Sequence, residues 1–333
     1  MPRVSILMPA RDAAATLPTC LRSIARQTEG DFQCVVVDDG STDASAHVVS
    51  DTSRRDPRFV LVQQARLGIA VALQRGLAEC KAAFVARMDA DDLMHRDRLR
   101  LQLRALAADP GLAGVGCHAR AFPDATVGNG TRNYMAWLRS IQTEHDVRRE
   151  RFIESPLLHP TWMLRADSLR AIGYRDEPWA EDYALLLRLL QSGARIAVVN
   201  QRLHAWRRSA SCATAWDPRY SEWNRARLKA QMLCEGPLAD RARYVLWGHG
   251  ETGKRLRRAL SEHGRDPITI VELDPRKIGQ RCFGVDVIAP RDVIAFAGHP
   301  ILVSVAHAGP RAVARQQLAE LSLVELRDFY CCA

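Results

Sequence analysis

Lysine is nearly absent from this 333-residue chain: it occurs only at Lys81, Lys229, Lys254 and Lys277, although lysine and arginine together number 47. The net charge of +9 therefore rests on arginine, whose planar guanidinium binds phosphate through paired hydrogen bonds. That excess suits anionic partners: a nucleotide diphosphate, a lipid-linked acceptor or an anionic membrane surface met peripherally. Most of the arginines serve equally well as solvated surface cations. No basic stretch is interleaved with aromatics, which excludes the usual nucleic-acid footprint. No apolar run approaches the ~18 residues of a membrane span. The short apolar run in Met1–Pro9 lacks a small-residue cleavage site and reads as a first strand rather than a signal peptide. The nine cysteines are odd in number, scattered apart from Cys331 and Cys332, and without metal-ligand spacing. Reduced thiols in a cytoplasmic protein are the expectation.

Hydrophobic content of 47% and charged content of 26% are those of an ordinary globular protein, and the length suggests about two domains. Strands are expected at Val4–Met8, Cys34–Val37, Phe59–Val62, Phe84–Met88 and Leu112–Gly116. Helices are expected over Leu17–Gln27, Ala44–Arg54, Ile69–Cys80 and Arg98–Ala108. This alternation predicts an α/β fold, a mostly parallel sheet with helices on both faces. Beyond Cys117 the pattern loosens. It gives an amphipathic helix over Tyr134–Arg151, a short strand at Thr161–Leu164, an apolar helix at Tyr183–Leu190, and strands at Ile196–Val199 and Leu203–Trp206. A charged helix over Arg219–Cys234 precedes a second α/β unit, whose strands are expected at Tyr244–Trp247, Thr269–Val271, Val285–Ile288, Ile301–Val305 and Leu326–Phe329. The implied division is 1–217, a helical linker over 218–242, and 243–333.

Three acidic stations stand out: Val35-Val-Val-Asp-Asp-Gly-Ser-Thr-Asp43, Arg87-Met-Asp-Ala-Asp-Asp92 and Ala180-Glu-Asp-Tyr183. The first two follow apolar runs that read as buried strands. Carboxylates at the C-terminal ends of such strands sit where α/β sheets bind ligands. An Asp-x-Asp pair there can hold a hard divalent cation, and the cation can hold a diphosphate. That is the chemistry of a nucleotide-sugar transferase. Each station also has a plainer account: a helix N-cap for the first, a solvated acidic loop for the second, and carboxylates favoured by a helix dipole for the third.

From about residue 4 to residue 212 these motifs resemble the family 2 glycosyltransferases of GT-A fold, in the variant typical of bacterial surface-polysaccharide enzymes. Val4-Ser-Ile-Leu-Met-Pro9 looks like the family's first strand, Val37-Asp-Asp-Gly-Ser-Thr-Asp43 like its nucleotide signature, and Ala86-Arg-Met-Asp-Ala-Asp-Asp92 like its metal motif. His159-Pro-Thr-Trp-Met163 and Glu181-Asp182 match acceptor-side and catalytic-base segments. The resemblance implies an inverting, metal-dependent transferase. It would move a sugar from a nucleoside diphosphate donor, UDP-linked, to a hydroxyl of a cell-surface glycan or lipid-linked acceptor.

Residue by residue, the resemblance places Pro9, Asp12 and Asp39 at the nucleotide, with Asp39 accepting from the base. Asp89 and Asp91 would hold Mg²⁺ or Mn²⁺, Asp89 also reaching the ribose or a metal-bound water. Asp182 would be the general base, and His159, Trp162 and Glu181 would face the acceptor. Arg66 and Arg87 would lie near phosphate, Arg207 and Arg208 in a segment, Trp206–Ser211, that closes over the diphosphate. Asp92 is expected to cap the following helix. Two departures stand out. Asp12 takes the approximate place of a frequent asparagine. Arg208-Ser209 takes that of a histidine that often serves as a third metal ligand, and His204 is expected to point elsewhere.

In the second unit, Gly248-His-Gly-Glu-Thr-Gly253 follows a strand and opens a helix, with Glu272 ending the next strand. Gly248, Gly250, Gly253 and Glu272 form a Rossmann-type nucleotide fingerprint. The unit is shorter than a full dinucleotide-binding domain and lacks an evident hydride-transfer group. A nucleotide site, a homo-oligomer surface and a vestigial domain all fit, and the rival reading is a nucleotide- or NAD-binding protein or oxidoreductase acting through this unit; a third is a non-catalytic binding protein on a degenerate transferase fold, motivated by Asp12 and Arg208.

Overall fold

The computed structural model describes residues 1–208 and 217–333. Two compact units emerge: Met1–Val147 with Pro156–Glu177 and Glu181–Trp216, and Arg148–Ser155 with Pro178–Ala180 and Asp217–Ala333.

The first unit opens with β1 (Val4–Ala10), α1 (Leu17–Ala25), β2 (Phe32–Asp39), α2 (Ser45–Arg55), β3 (Phe59–Gln64), α3 (Ile69–Glu79) and β4 (Phe84–Arg87). It continues through β5 (Leu93–Met94), α4 (Arg98–Ala108), β6 (Gly114–Phe122), α5 (Asn129–Ser140) and α6 (Glu144–Glu150), whose end belongs to the second unit. Next come β7 (Met163–Arg165), α7 (Ala166–Ile172), α8 (Glu181–Gln191) and β8 (Ile196–Arg207). The sheet order is β3-β2-β1-β4-β7-β6-β8-β5. Strands β3, β2, β1 and β4 are parallel, as are β6 and β8, whereas β7 and β5 run antiparallel to their neighbours.

Side-chain alternation explains why both faces are covered. Val4, Ile6 and Met8 point to one face, against Leu17, Leu21 and Ile24 of α1 and Leu99 and Leu103 of α4. Leu7 points to the other, against Leu73 and Leu77 of α3 and Leu185, Leu186 and Leu189 of α8. A parallel sheet buried on both sides needs near-continuous apolar strands, which is what Cys34-Val-Val-Val37 supplies. The chain leaves β1 for β2 on one side and returns to β4 on the other. The crevice at such a reversal is where α/β sheets bind ligands. Asp12, Asp39 and Asp89 all follow or end these three strands.

The expected helix over Tyr134–Arg151 divides into α5 and α6 because Thr143 and Asp146 form a capping box. Asp146 accepts from the Thr143 amide at 3.0 Å, and Thr143 Oγ1 accepts from the Asp146 amide at 3.1 Å. The two strands expected at 196–206 are one continuous β8, with register irregularities opposite Cys117–Ala119.

The second unit holds α9 (Glu222–Glu235), β9 (Arg243–Trp247), α10 (Glu251–Ser261), β10 (Asp266–Val271), β11 (Arg281–Cys282), β12 (Val285–Ile288), β13 (Ile301–Val303), α11 (Ala308–Glu320) and β14 (Phe329–Cys331). The last strand begins at Phe329, where the expected strand Leu326–Phe329 ends. The sheet order is β11-β12-β10-β9-β13-β14, parallel except for β11. Leaving β11 aside, the strands order 3-2-1-4-5, the Rossmann order short of its sixth strand. Gly248 has φ +86° and Gly253 packs so closely that a Cβ there would stand 2.2 Å from the Gly248 carbonyl. Those two glycines are required by the turn, whereas Gly250 faces open space. Arg148–Ser155 is bound into this unit by charge: Glu150 to Arg315 at 2.8 Å, Glu154 to Arg225 at 2.7 Å, and the Ile153 carbonyl to Lys229 at 2.7 Å.

Candidate active site

The loops after β1 and β2 are laced together. Asp12 Oδ1 accepts from the Thr42 amide at 2.8 Å and from Thr42 Oγ1 at 3.2 Å. In return, the amides of Asp12, Ala13 and Ala14 donate to Ser41 Oγ, Ser45 Oγ and Asp43 Oδ2 at 3.0, 2.8 and 2.9 Å. Asp12 is left-handed, φ 46°, a conformation that asparagine and aspartate tolerate best among residues with a Cβ. Its place therefore asks for a short side chain with an acceptor, which either residue supplies. The Thr42 amide holds the Asp12 carboxyl below the usual carboxylate range. Pro9 lies half-buried near the end of β1.

Asp39 is buried at the end of β2 and organises the turn into α3. Its Oδ1 accepts from Gln64 Nε2 and the Leu67 amide, both at 2.8 Å, and its Oδ2 from the Gly68 amide at 2.9 Å. A carboxylate oxygen can take two donors, so Oδ2 retains capacity for one more. Gly40, at φ +66°, lets this turn approach: a Cβ there would lie 2.6 Å from the Arg66 amide nitrogen. The Arg66 side chain itself is exposed.

After β4, carboxylate oxygens of Asp89, Asp91 and Asp92 lie within 4.8 Å of one another. They are not equivalent. Asp89 forms an ion pair with Arg87, which is buried beneath it. Asp91 is half-buried, and burial, then Asp89 and Asp92, push its carboxyl up to about 7. Asp92 is fully buried and taken at both oxygens, by His204 Nε2 at 2.7 Å and by the Arg207 amide at 2.6 Å. Asp92 is therefore not a helix cap, as the sequence suggests; Asp97 occupies the N-cap position of α4. Arg207 Nε also donates to the Asp91 carbonyl at 2.7 Å. The other ring nitrogen of His204 meets Arg98 Nη1 at 3.2 Å. Arg98 is fully buried and donates further to Gln102 Oε1 at 3.0 Å and to the Arg87 and Trp162 carbonyls at 2.9 and 3.2 Å. Burial, then the Arg98 charge, keep His204 neutral.

Asp182 lies half-buried in the first turn of α8, where its Oδ1 accepts from the Tyr183 amide at 2.7 Å, beside buried Glu181. Although burial disfavours it, the Arg87 charge is upheld by Asp89, Tyr174 and Glu181. Arg87 therefore links the Asp-x-Asp loop electrostatically to the helix carrying Asp182. His159 and Trp162, expected at the acceptor, are 4% and 2% exposed. His159 Nε2 meets the Tyr174 hydroxyl at 2.9 Å, its ring packs on Trp162 at 4.8 Å, and burial with Arg87 holds it neutral. These two rings form the floor behind Arg87 and offer little surface to a ligand.

Arg207 and Arg208 stack over Phe122 and Trp206 at 4.5 and 4.4 Å. Ser209 and the rest of the segment expected to close over the donor lie outside the described residues. In the second unit, Glu272 Oε1 accepts from the His249 amide at 3.2 Å and from Lys277 at 3.3 Å, beside the turn bearing Gly248, Gly250 and Gly253. Sequence reasoning missed Arg98 and Tyr174, and it set aside His204, which turns onto Asp92. The signal for Arg98 was an arginine four residues before Gln102 on the helix face of Leu99, Leu103 and Leu106.

The family model for glycosyl transferase family 2 matches residues 5–173. The uncharacterized glycosyltransferase EpsJ of Bacillus subtilis is 23% identical over 221 residues, covering 64% of this chain and 63% of that protein. Chondroitin synthase of Escherichia coli is 30% identical over 115 residues, 34% of this chain and 17% of that one. The chain thus spans less than two thirds of the length of either relative. Among solved structures, S. aureus TarS 1–349 in complex with UDP-GlcNAc superposes with TM-score 0.57 at 18% identity, covering 79% of this chain and 72% of that one. The mannosyltransferase PcManGT of Pyrobaculum calidifontis, in complex with GDP-Man and Mn²⁺, gives TM-score 0.54 at 21% identity, covering 79% and 69%. The fold is GT-A, and the chain belongs to glycosyl transferase family 2, a family of enzymes.

Proposed function

We propose that the chain is an inverting glycosyltransferase that takes a sugar from a UDP-linked donor, with a divalent cation, and delivers it to a hydroxyl of a surface glycan or lipid-linked acceptor. The observation that carries this reading is the division of labour after β4. Asp92 is withdrawn into the core, while Asp89 and Asp91 keep oxygens at the strand-end crevice. Hard carboxylate oxygens suit Mg²⁺ or Mn²⁺, and Asp89 and Asp91 are the residues that would hold the ion. When bound, such an ion offsets charge developing on a departing diphosphate.

The remaining roles belong to side chains. Asp39, through the spare capacity of Oδ2, would accept the imide N–H of uracil. Asp12 keeps the β1 and β2 loops joined around the nucleotide. Asp182 would take the proton of the acceptor hydroxyl as that oxygen forms its bond to the anomeric carbon. The bond from that carbon to the diphosphate breaks on the opposite face, inverting the centre. One carboxylate near the nucleophile suffices for such a displacement. Glu181 and Arg87 would set the field around that base. The complexes named for TarS and PcManGT, with UDP-GlcNAc and with GDP-Man, favour a nucleoside diphosphate sugar as the donor class.

Asp182→Asn tests the assignment. It should lower kcat by about 10²-fold or more while donor affinity stays within about twofold. Retained turnover would refute Asp182 as the base.

A further inference from the structure

We infer that His204 is a positioning residue for the metal-bearing loop, acting as a neutral bridge that transmits the hold of buried Arg98 onto Asp92. The inference rests on the metal-dependent reading above. A guanidinium only donates, so the 3.2 Å contact from Arg98 Nη1 requires a lone pair on His204 Nδ1. A neutral imidazole then carries its proton on Nε2, and that proton is donated to Asp92 Oδ2 at 2.7 Å. The tautomer is thus dictated from one side and used on the other.

Every member is out of solvent. The side chains of His204 and Asp92 are both 0% exposed, and Arg98 is 0% exposed. A buried guanidinium and a buried carboxyl joined through an imidazole are costly to separate, because the facing atoms, Arg98 Nη1 and Asp92 Oδ2, would each lose that partner out of reach of water. The bridge therefore fixes the distance between α4, which carries Arg98, and the loop after β4. Three further contacts share the task. The Arg207 amide donates to Asp92 Oδ1, Arg207 Nε to the Asp91 carbonyl, and Leu93 and Met94 of β5 pair with Ala205 and His204 of β8. Arg98 also holds the carbonyl of Arg87, the partner of Asp89. The backbone is thereby held on both sides of Asp89, at the Arg87 carbonyl by Arg98 and at the Asp91 carbonyl by Arg207. An anchor in the buried bridge, rather than a third carboxylate ligand, is what Asp92 contributes.

The test uses the full chain. Mn²⁺ binding is followed by electron paramagnetic resonance with UDP present, UDP binding without metal by calorimetry, and Tm by scanning. His204→Leu removes the bridge; His204→Gln restores one acceptor and one donor, separated by a single carbon as the two ring nitrogens are. The inference expects His204→Leu to weaken Mn²⁺ binding by tenfold or more with metal-free UDP affinity unchanged, and His204→Gln to recover most of the loss. In the wild type, imidazole ¹⁵N spectra should show His204 protonated at Nε2 alone. Should His204→Leu fail to fold, His204→Gln and the spectrum decide. Mn²⁺ binding in His204→Gln weakened as far as in Asp91→Ala, or a proton on Nδ1, overturns the inference. Unchanged Mn²⁺ binding in His204→Leu overturns it while leaving the metal-dependent reading intact. Failure of the wild type to bind Mn²⁺ with UDP overturns both.

Discussion

At the scale of residues, the site depends on carboxylates with different tasks. Asp12 spans two loops from a left-handed backbone, Asp39 folds a turn, Asp92 is locked inside, and Asp89 and Asp91 are the pair proposed to hold the cation. Asp12 offers a clean test. Asp12→Asn keeps both the backbone tolerance and an acceptor for the Thr42 amide, so Tm near neutral pH should change little. Asp12→Ala removes the acceptor and strains the backbone, and Tm should fall by roughly 2–4 °C. The sign with pH follows from the depressed Asp12 pKa. Its contribution is complete above the unfolded carboxylate value and is lost as pH falls through the lower folded value. The Tm of the wild type should therefore drop relative to Asp12→Asn only at the acid end. A pH-independent difference between the two would contradict the role given to the Thr42 contact.

At the scale of elements, what was legible follows from the range of the signal. Strands β1 to β4 and the helices between them could be read because each is a local apolar run closed by a turn. The strand-end position of Asp39 and Asp89 followed from that pattern, and α4 was placed at Arg98–Ala108 as observed. Strand β5 has two residues and draws its identity from β8, more than a hundred positions away, so no local window could show it. The Arg98–His204–Asp92 bridge escaped for the same reason: its contacts join positions separated by 106 and 112 residues. The division between α5 and α6 was available in principle, since Thr143-Glu-His-Asp146 has the spacing of a capping box. The amphipathic pattern running through it masked the break. His159 and Trp162 sit in a matched motif, yet a motif carries no burial: His159 packs between Tyr174 and Trp162, and both motif residues are interior.

At the scale of the whole molecule, the second unit is more than a C-terminal appendix. It includes Arg148–Ser155, a stretch immediately before Leu157–His159. That stretch depends on Arg225, Lys229 and Arg315. Lys229 is half-buried, with its ammonium shared between the carbonyls of Ile153 and Cys332 at 2.7 and 3.0 Å. A fragment ending at Trp216 would leave Glu150 and Glu154 without these cations. It should melt below the full chain and be cut by protease within 148–155. Equal Tm and equal protection would show that the stretch needs no such support. Among the described residues, no helix is long and apolar enough to cross a membrane. The central claim, a metal-dependent donor site at the ends of β1, β2 and β4, is tested most directly by calorimetric titration with UDP and GDP, each with and without Mn²⁺, on the wild type and Asp91→Ala. The account predicts that UDP binds the wild type tightly only with Mn²⁺ and that Asp91→Ala abolishes this gain. UDP binding that ignores the metal, or a gain that survives in Asp91→Ala, would contradict it.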